Sequence, residues 1–112
     1  MSDKLWKANE RWWAAWLTKT TGKLAQRVPI NGRGKEADVK HPDYPTECKE
    51  RGTIPQWIIK ALEQSDQAIR NENETPVVQV HVKNKPHEED IILMRLKTFE
   101  RFIKPSSRRK HS

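Results

Sequence analysis

The sequence predicts an α/β fold, a mixed five-stranded sheet flanked by helices. Three observations carry that expectation. Residues 3–20 repeat apolar side chains at helical spacing, with Leu5, Trp6, Trp12, Trp13, Trp16 and Leu17 on one side. Short segments of strand-like alternation follow, punctuated by Gly and Pro. A second helical pattern at 56–70 then separates these from two apolar runs, and a strand–helix–strand step implies parallel pairing through a right-handed crossover.

Taken in order, Ser2 or Asp3 can cap the first helix and Gly22 can stop it. Four of the five tryptophans fall in this helix, and their large apolar area is expected to anchor it on a sheet rather than to stack on bases. Residues 24–29 (LAQRVP) read as a strand. Asn31 to Lys35 read as a basic loop, whose glycines permit close approach to a phosphate backbone. Residues 37–40 and 46–50 are the next strands, joined by the Pro-bounded turn 41–45. Pro55 suits the start of the helix at 56–70, with Trp57, Ile58, Ala61, Leu62, Ser65, Ala68 and Ile69 inward. Residues 76–82 (PVVQVHV) form the strongest strand, apolar enough to be central, and 91–96 return beside it after a charged connection. Thr98 is placed to cap a last short helix at 99–103.

At 112 residues the chain accommodates one domain, taken as 1–103, followed by a basic tail at 104–112. That tail holds four Lys or Arg and no acid, against a formal charge of +7 for the whole chain. A basic balance of this kind points to a polyanionic partner, most often nucleic acid, although a solvated terminus gives the same pattern. A single cysteine excludes a disulfide framework and a cysteine-based zinc site. With a charged opening segment and no run long enough for a bilayer, the expected location is intracellular: cytoplasm or nucleoid, or an infected host cell if phage-encoded. The four histidines show no metal-ligand spacing and read as structural or surface residues.

The chemistry-bearing residues lie in 33–51 (RGKEADVKHPDYPTECKER). Alternation turns Glu47, Lys49 and Arg51 to one face and Thr46 and Cys48 to the other, and likewise pairs Asp38 with Lys40 opposite Ala37 and Val39. Adjacent strands would gather two carboxylates and a lysine, a set suited to a divalent cation and a phosphodiester. Glu10 sits on the rim of the first helix's apolar stripe, within reach of a sheet edge. Asp43, which follows Pro42, is a rival to Asp38, but a turn would fix it poorly. The tripeptide Glu-x-Lys is common by chance, so the order of elements carries most of the weight.

That combination, Glu10 in helix one, Asp38 in GKEADV, Glu47 and Lys49 in ECK and the RGTIPQWIIKALEQSDQA helix beyond, resembles the PD-(D/E)XK nuclease superfamily. Within it, the chain is similar to the small Holliday-junction resolvases of archaea and phages, over about residues 4–103. The resemblance implies a restriction-endonuclease-like core and an Mg²⁺-dependent endonuclease, Mn²⁺ substituting, that resolves four-way DNA junctions by paired cleavage. It implies that Glu10, Asp38, Glu47 and the Cys48 carbonyl hold the metal, and that Lys49 orients water or stabilises the transition state. Arg51 would contact a neighbouring phosphate. Gln67 would edge the site, although pattern alone does not separate it from Gln64. Arg33, Lys35, Lys40, His41, Arg108 and Arg109 would grip the DNA backbone, and a homodimer would match the symmetric junction. Alternatives are a nuclease of the same kind acting on other branched or mismatched DNA, and a non-catalytic basic nucleic-acid-binding module.

Overall fold

The computed structural model describes residues 2–29 and 36–105. The backbone divides into two compact units, one taking residues up to Gly52 with Ile103 onward, the other Thr53–Phe102. Among the described residues, no helix is long and apolar enough to cross a membrane.

The first unit is built on helix α1 (Ser2–Thr21), which contains neither Pro nor Gly and includes the strong helix formers Ala8, Ala14 and Ala15. Its buried stripe runs through Glu10, Ala14 and Leu17, the spacing that keeps side chains on one helical face. The Thr18 and Thr21 hydroxyls donate to the Ala14 and Leu17 carbonyls at 2.9 and 2.7 Å. The helix ends at Gly22, whose φ of 80° lets its N–H reach the Thr18 carbonyl at 2.9 Å. Only glycine takes that left-handed cap at no steric cost. The Ala25 N–H then donates to Thr18 Oγ1 at 2.9 Å, which turns the chain back along the helix.

Strand β1 (Gln26–Arg27) pairs antiparallel with β2 (Val39–Lys40), Gln26 opposite Lys40 and Arg27 opposite Val39. The Val28 N–H donates to the Asp38 carbonyl at 2.9 Å, carrying the ladder one step further. On its other side Val39 exchanges both backbone bonds with Thr46, at 3.0 and 2.9 Å. Leu17 and Val39, fully buried, centre a small core completed by Ala14, Ala25 and Val28. Burying the Leu17 and Val39 side chains contributes about 1.5–3 kcal/mol each.

In the second unit, helix α2 (Gln56–Gln67) follows Pro55, whose carbonyl accepts the Ile58 N–H at 3.1 Å. Ile58, Ile59 and Leu62 are half-buried, whereas Trp57, expected inward, is exposed. Strand β3 (Val78–Val80) pairs antiparallel with β4 (Ile91–Leu93), Val78 opposite Leu93 and Val80 opposite Ile91, and helix α3 (Leu96–Ile103) follows, all but its last residue in this unit. Arg95 Nε bonds Asp66 Oδ2 at 3.0 Å, and Ser65 Oγ donates to the Val77 carbonyl at 3.3 Å.

These elements overturn the expected α/β architecture. Among the described residues there is no five-stranded sheet and no parallel pair, only two separate two-stranded antiparallel ribbons. Helical and strand-like segments occur near their expected places, but the strands are far shorter. The segment 46–50 pairs only at Thr46, because Glu47, Lys49 and Glu50 are poor strand formers with little to bury. Pro29, Pro42 and Pro45 flank the first ribbon and supply no backbone donor with which to lengthen it. Helix α3 begins earlier than expected, and Thr98 lies buried inside it rather than at its cap. The tryptophans of α1 do not all anchor it, for Trp12 is exposed and stacks on Trp16 with ring centroids 6.3 Å apart.

Candidate functional site

The first unit holds two buried carboxylates. Glu10 is 2% exposed and Asp38 is 6% exposed. Glu10 lies on the buried stripe of α1 and reaches β1, where its Oε1 accepts the Arg27 Nε–H at 2.8 Å. Arg27 in turn lies 5.5 Å from the centre of the Trp6 ring, so its charge is shared between a carboxylate and an aromatic face. Asp38 precedes β2, and its Oδ2 accepts the backbone N–H of Cys48 at 2.9 Å. The Val39–Thr46 bridge sets the spacing that brings these two groups together. Trp13 Nε1 donates to Thr46 Oγ1 at 2.9 Å and fixes the same segment to α1.

From Thr46 to Lys49 exposure alternates, Thr46 and Cys48 half-buried and Glu47 and Lys49 exposed, but the expected alternation stops there, since Glu50 and Arg51 are both exposed. Lys49 Nζ lies 3.5 Å from Glu47 Oε2, with the two side chains 63% and 60% exposed. Asp38 departs from its expected face, being buried alongside Val39, while Lys40 is exposed and lines a shallow groove with Gln26, Arg27 and Glu36. Arg51 donates to the Glu50 carbonyl at 3.0 Å.

His41, expected at a nucleic-acid surface, is buried. Its Nδ1 accepts the Asp43 and Tyr44 N–H groups at 3.0 and 3.1 Å, and its Nε2 meets Thr21 Oγ1 at 2.9 Å. It is the lock of the 41–45 turn, with both ring nitrogens engaged. Asp43 pairs with Lys23 Nζ at 2.8 Å, and this hydrogen bond holds its carboxyl below the usual carboxylate range. Gln64 and Gln67 are exposed on α2, in the second unit. Arg33, Lys35, Arg108 and Arg109 lie outside the described residues.

Among the described residues one trio of His, Cys, Asp or Glu brings its ligand atoms within 4.8 Å of one another, and it is His81, His87 and Asp90. The carboxylates of Glu10, Asp38 and Glu47 do not form such a group. Sequence spacing missed the histidine cluster because its logic is a hairpin register, visible only once β3 and β4 are paired. It also missed Arg27 as the partner of Glu10.

No family model matches the chain, and no curated protein and no solved structure matches it.

Proposed function

We infer that the chain is a metal-dependent endonuclease that cuts branched DNA, four-way junctions foremost, as a homodimer. The observation that carries this reading is the 2.9 Å hydrogen bond from the Cys48 N–H to Asp38 Oδ2. It fastens a buried acid to the segment bearing Glu47 and Lys49.

The donors suit Mg²⁺, since all are hard oxygens, and this ion keeps several waters and needs only one or two carboxylates. Asp38, Glu47 and the Cys48 carbonyl would hold it. Glu10, already paired with Arg27, would act from behind them. What a bound Mg²⁺ supplies is a water of lowered pKa and neutralisation of phosphate charge. Lys49, exposed beside Glu47, offers an ammonium group to a phosphate oxygen. Lys40 and Arg51, both exposed, add phosphate contacts of the kind that position rather than specify. Two symmetric cuts need two such sites, which a homodimer provides.

The Glu10–Arg27 ion pair favours a second reading, a non-catalytic basic nucleic-acid-binding module, because an acid neutralised by its own arginine is a weaker metal ligand. Incubation with a synthetic four-way junction in Mg²⁺ separates the two. The nuclease reading expects paired nicks that vanish in EDTA and in Asp38→Asn and Glu47→Gln, with junction binding kept. Equal cutting of flaps, mismatches or plain duplex would move the substrate to those forms. Binding without cleavage would support the module.

A further inference from the structure

We propose that His81, His87 and Asp90 form a binding site for a divalent transition ion of the zinc class, closing the loop between β3 and β4. This site lies wholly within the second unit and does not depend on the nuclease reading.

Three independent pieces of local geometry assemble it. Continuing the β3–β4 register past Val80 and Ile91 sets His81 directly across from Asp90, the shortest cross-strand relation in a ribbon. Residues 87–89 form a 3₁₀ turn, in which side chains three apart eclipse, so His87 is stacked over Asp90. The chain is reversed between them by a turn in which the Lys85 N–H donates to the Val82 carbonyl at 3.1 Å, with Asn84 at φ 68°. Asn is among the few residues that tolerate that conformation.

The result is one carboxylate facing two imidazoles. Asp90 Oδ1 lies 2.7 Å from His81 Nδ1 and Oδ2 lies 3.0 Å from His87 Nδ1. The two rings stack with centroids 4.0 Å apart and 28° between their planes. Gln79, two residues before His81 on the same face of β3, donates from Nε2 to Asp90 Oδ2 at 2.6 Å. It orients the carboxylate from outside, as outer partners of metal ligands do. Two stacked imidazolium rings would repel each other, and a single carboxylate cannot neutralise both. A divalent ion satisfies all three groups at once. On binding, the two Nδ1 lone pairs and one Asp90 oxygen become ligands, and any proton on an Nδ1 leaves for the Nε2 of the same ring or for solvent. Ligand atoms around a tetrahedral zinc lie about 3.4 Å apart, and those of this trio all lie within 4.8 Å of one another. Two imidazoles and a carboxylate suit zinc, nickel or copper over magnesium, which prefers oxygen donors throughout. Solvent supplies the remaining position, His87 being 76% exposed.

Zinc chloride titrated into the full-length, chelator-treated chain by calorimetry, with Mg²⁺ in excess, tests the proposal. One equivalent is expected to bind, and His87→Ala is expected to weaken it by more than about tenfold, since even outer partners are worth that much. His87 is exposed, so this variant keeps the fold, while Asp43→Asn, at an acid outside both sites, should bind zinc as the parent does. Imidazole ¹⁵N resonances of His81 and His87 should move on zinc addition and those of buried His41 should not. Absence of binding at millimolar zinc, undiminished binding in His87→Ala, or unmoved His81 and His87 resonances would each overturn the proposal.

Discussion

Asp38 and Cys48 are joined by a carboxylate-to-amide hydrogen bond of 2.9 Å, so a buried acid also holds up the segment that bears Glu47 and Lys49. Replacement by asparagine keeps an acceptor for the Cys48 N–H and should leave stability nearly unchanged while abolishing metal-dependent cleavage. Replacement by leucine orphans that N–H and should cost about 1–3 kcal/mol in urea unfolding. Retained cleavage in Asp38→Asn would remove Asp38 from the site.

Glu10 is expected to be worth more to the fold than to the chemistry. Glu10→Ala strips a partly buried arginine of a carboxylate partner and should destabilise by less than the about 3–5 kcal/mol of breaking a deeply buried pair, because Arg27 is 23% exposed. Glu10→Gln, which still offers an oxygen to Arg27, separates the roles. Cleavage abolished with the melting temperature kept would make Glu10 a ligand, and cleavage kept would make it structural.

His41→Leu should be strongly destabilising, by about 1–3 kcal/mol, because two backbone N–H groups of the 41–45 turn are left without an acceptor. Junction affinity of the folded fraction should be unaffected. A failure of DNA binding with normal stability would return His41 to the nucleic-acid surface.

The Lys23–Asp43 pair sets a pH dependence of known sign. Its hydrogen bond lowers the Asp43 carboxyl and raises the Lys23 ammonium. The carboxyl's contribution is therefore present above its unfolded value and lost as pH falls through the folded one. The lysine's is complete below its own unfolded value and lost as pH rises through the folded one. Both groups are exposed, so the effect is small and screened by salt. Asp43→Asn should flatten the acid limb of stability against pH at low ionic strength, and an unchanged limb would show the pair to be idle.

Deleting residues 104–112 removes four Lys or Arg. Junction binding should weaken, with turnover retained. The slope of log affinity against log salt should fall by up to about 0.9 for each phosphate that the shortened chain no longer neutralises. An identical slope in the truncated chain would show that the tail does not touch DNA.

Local signals were legible from the chain itself. The period of α1, its stop at Gly22, the start of α2 after Pro55 and the outward turn of Glu47 and Lys49 all follow from spacing and residue type, which act over a few positions. The fold class was not, because strand patterns state which residues could pair, and pairing depends on what each edge finds. Glu47 to Arg51 found one bridge at Thr46 and no more.

What the sequence by itself determined is therefore the inventory: two long helices, short strand segments, a charged Glu-x-Lys stretch and a basic excess. Tertiary structure alone decided that Asp38 faces the Cys48 amide, that Glu10 meets Arg27, that His41 turns inward and that His81 meets Asp90. Each of these joins residues at positions set by helix packing or hairpin register, and a one-residue slip in such a register turns every side chain to the opposite face.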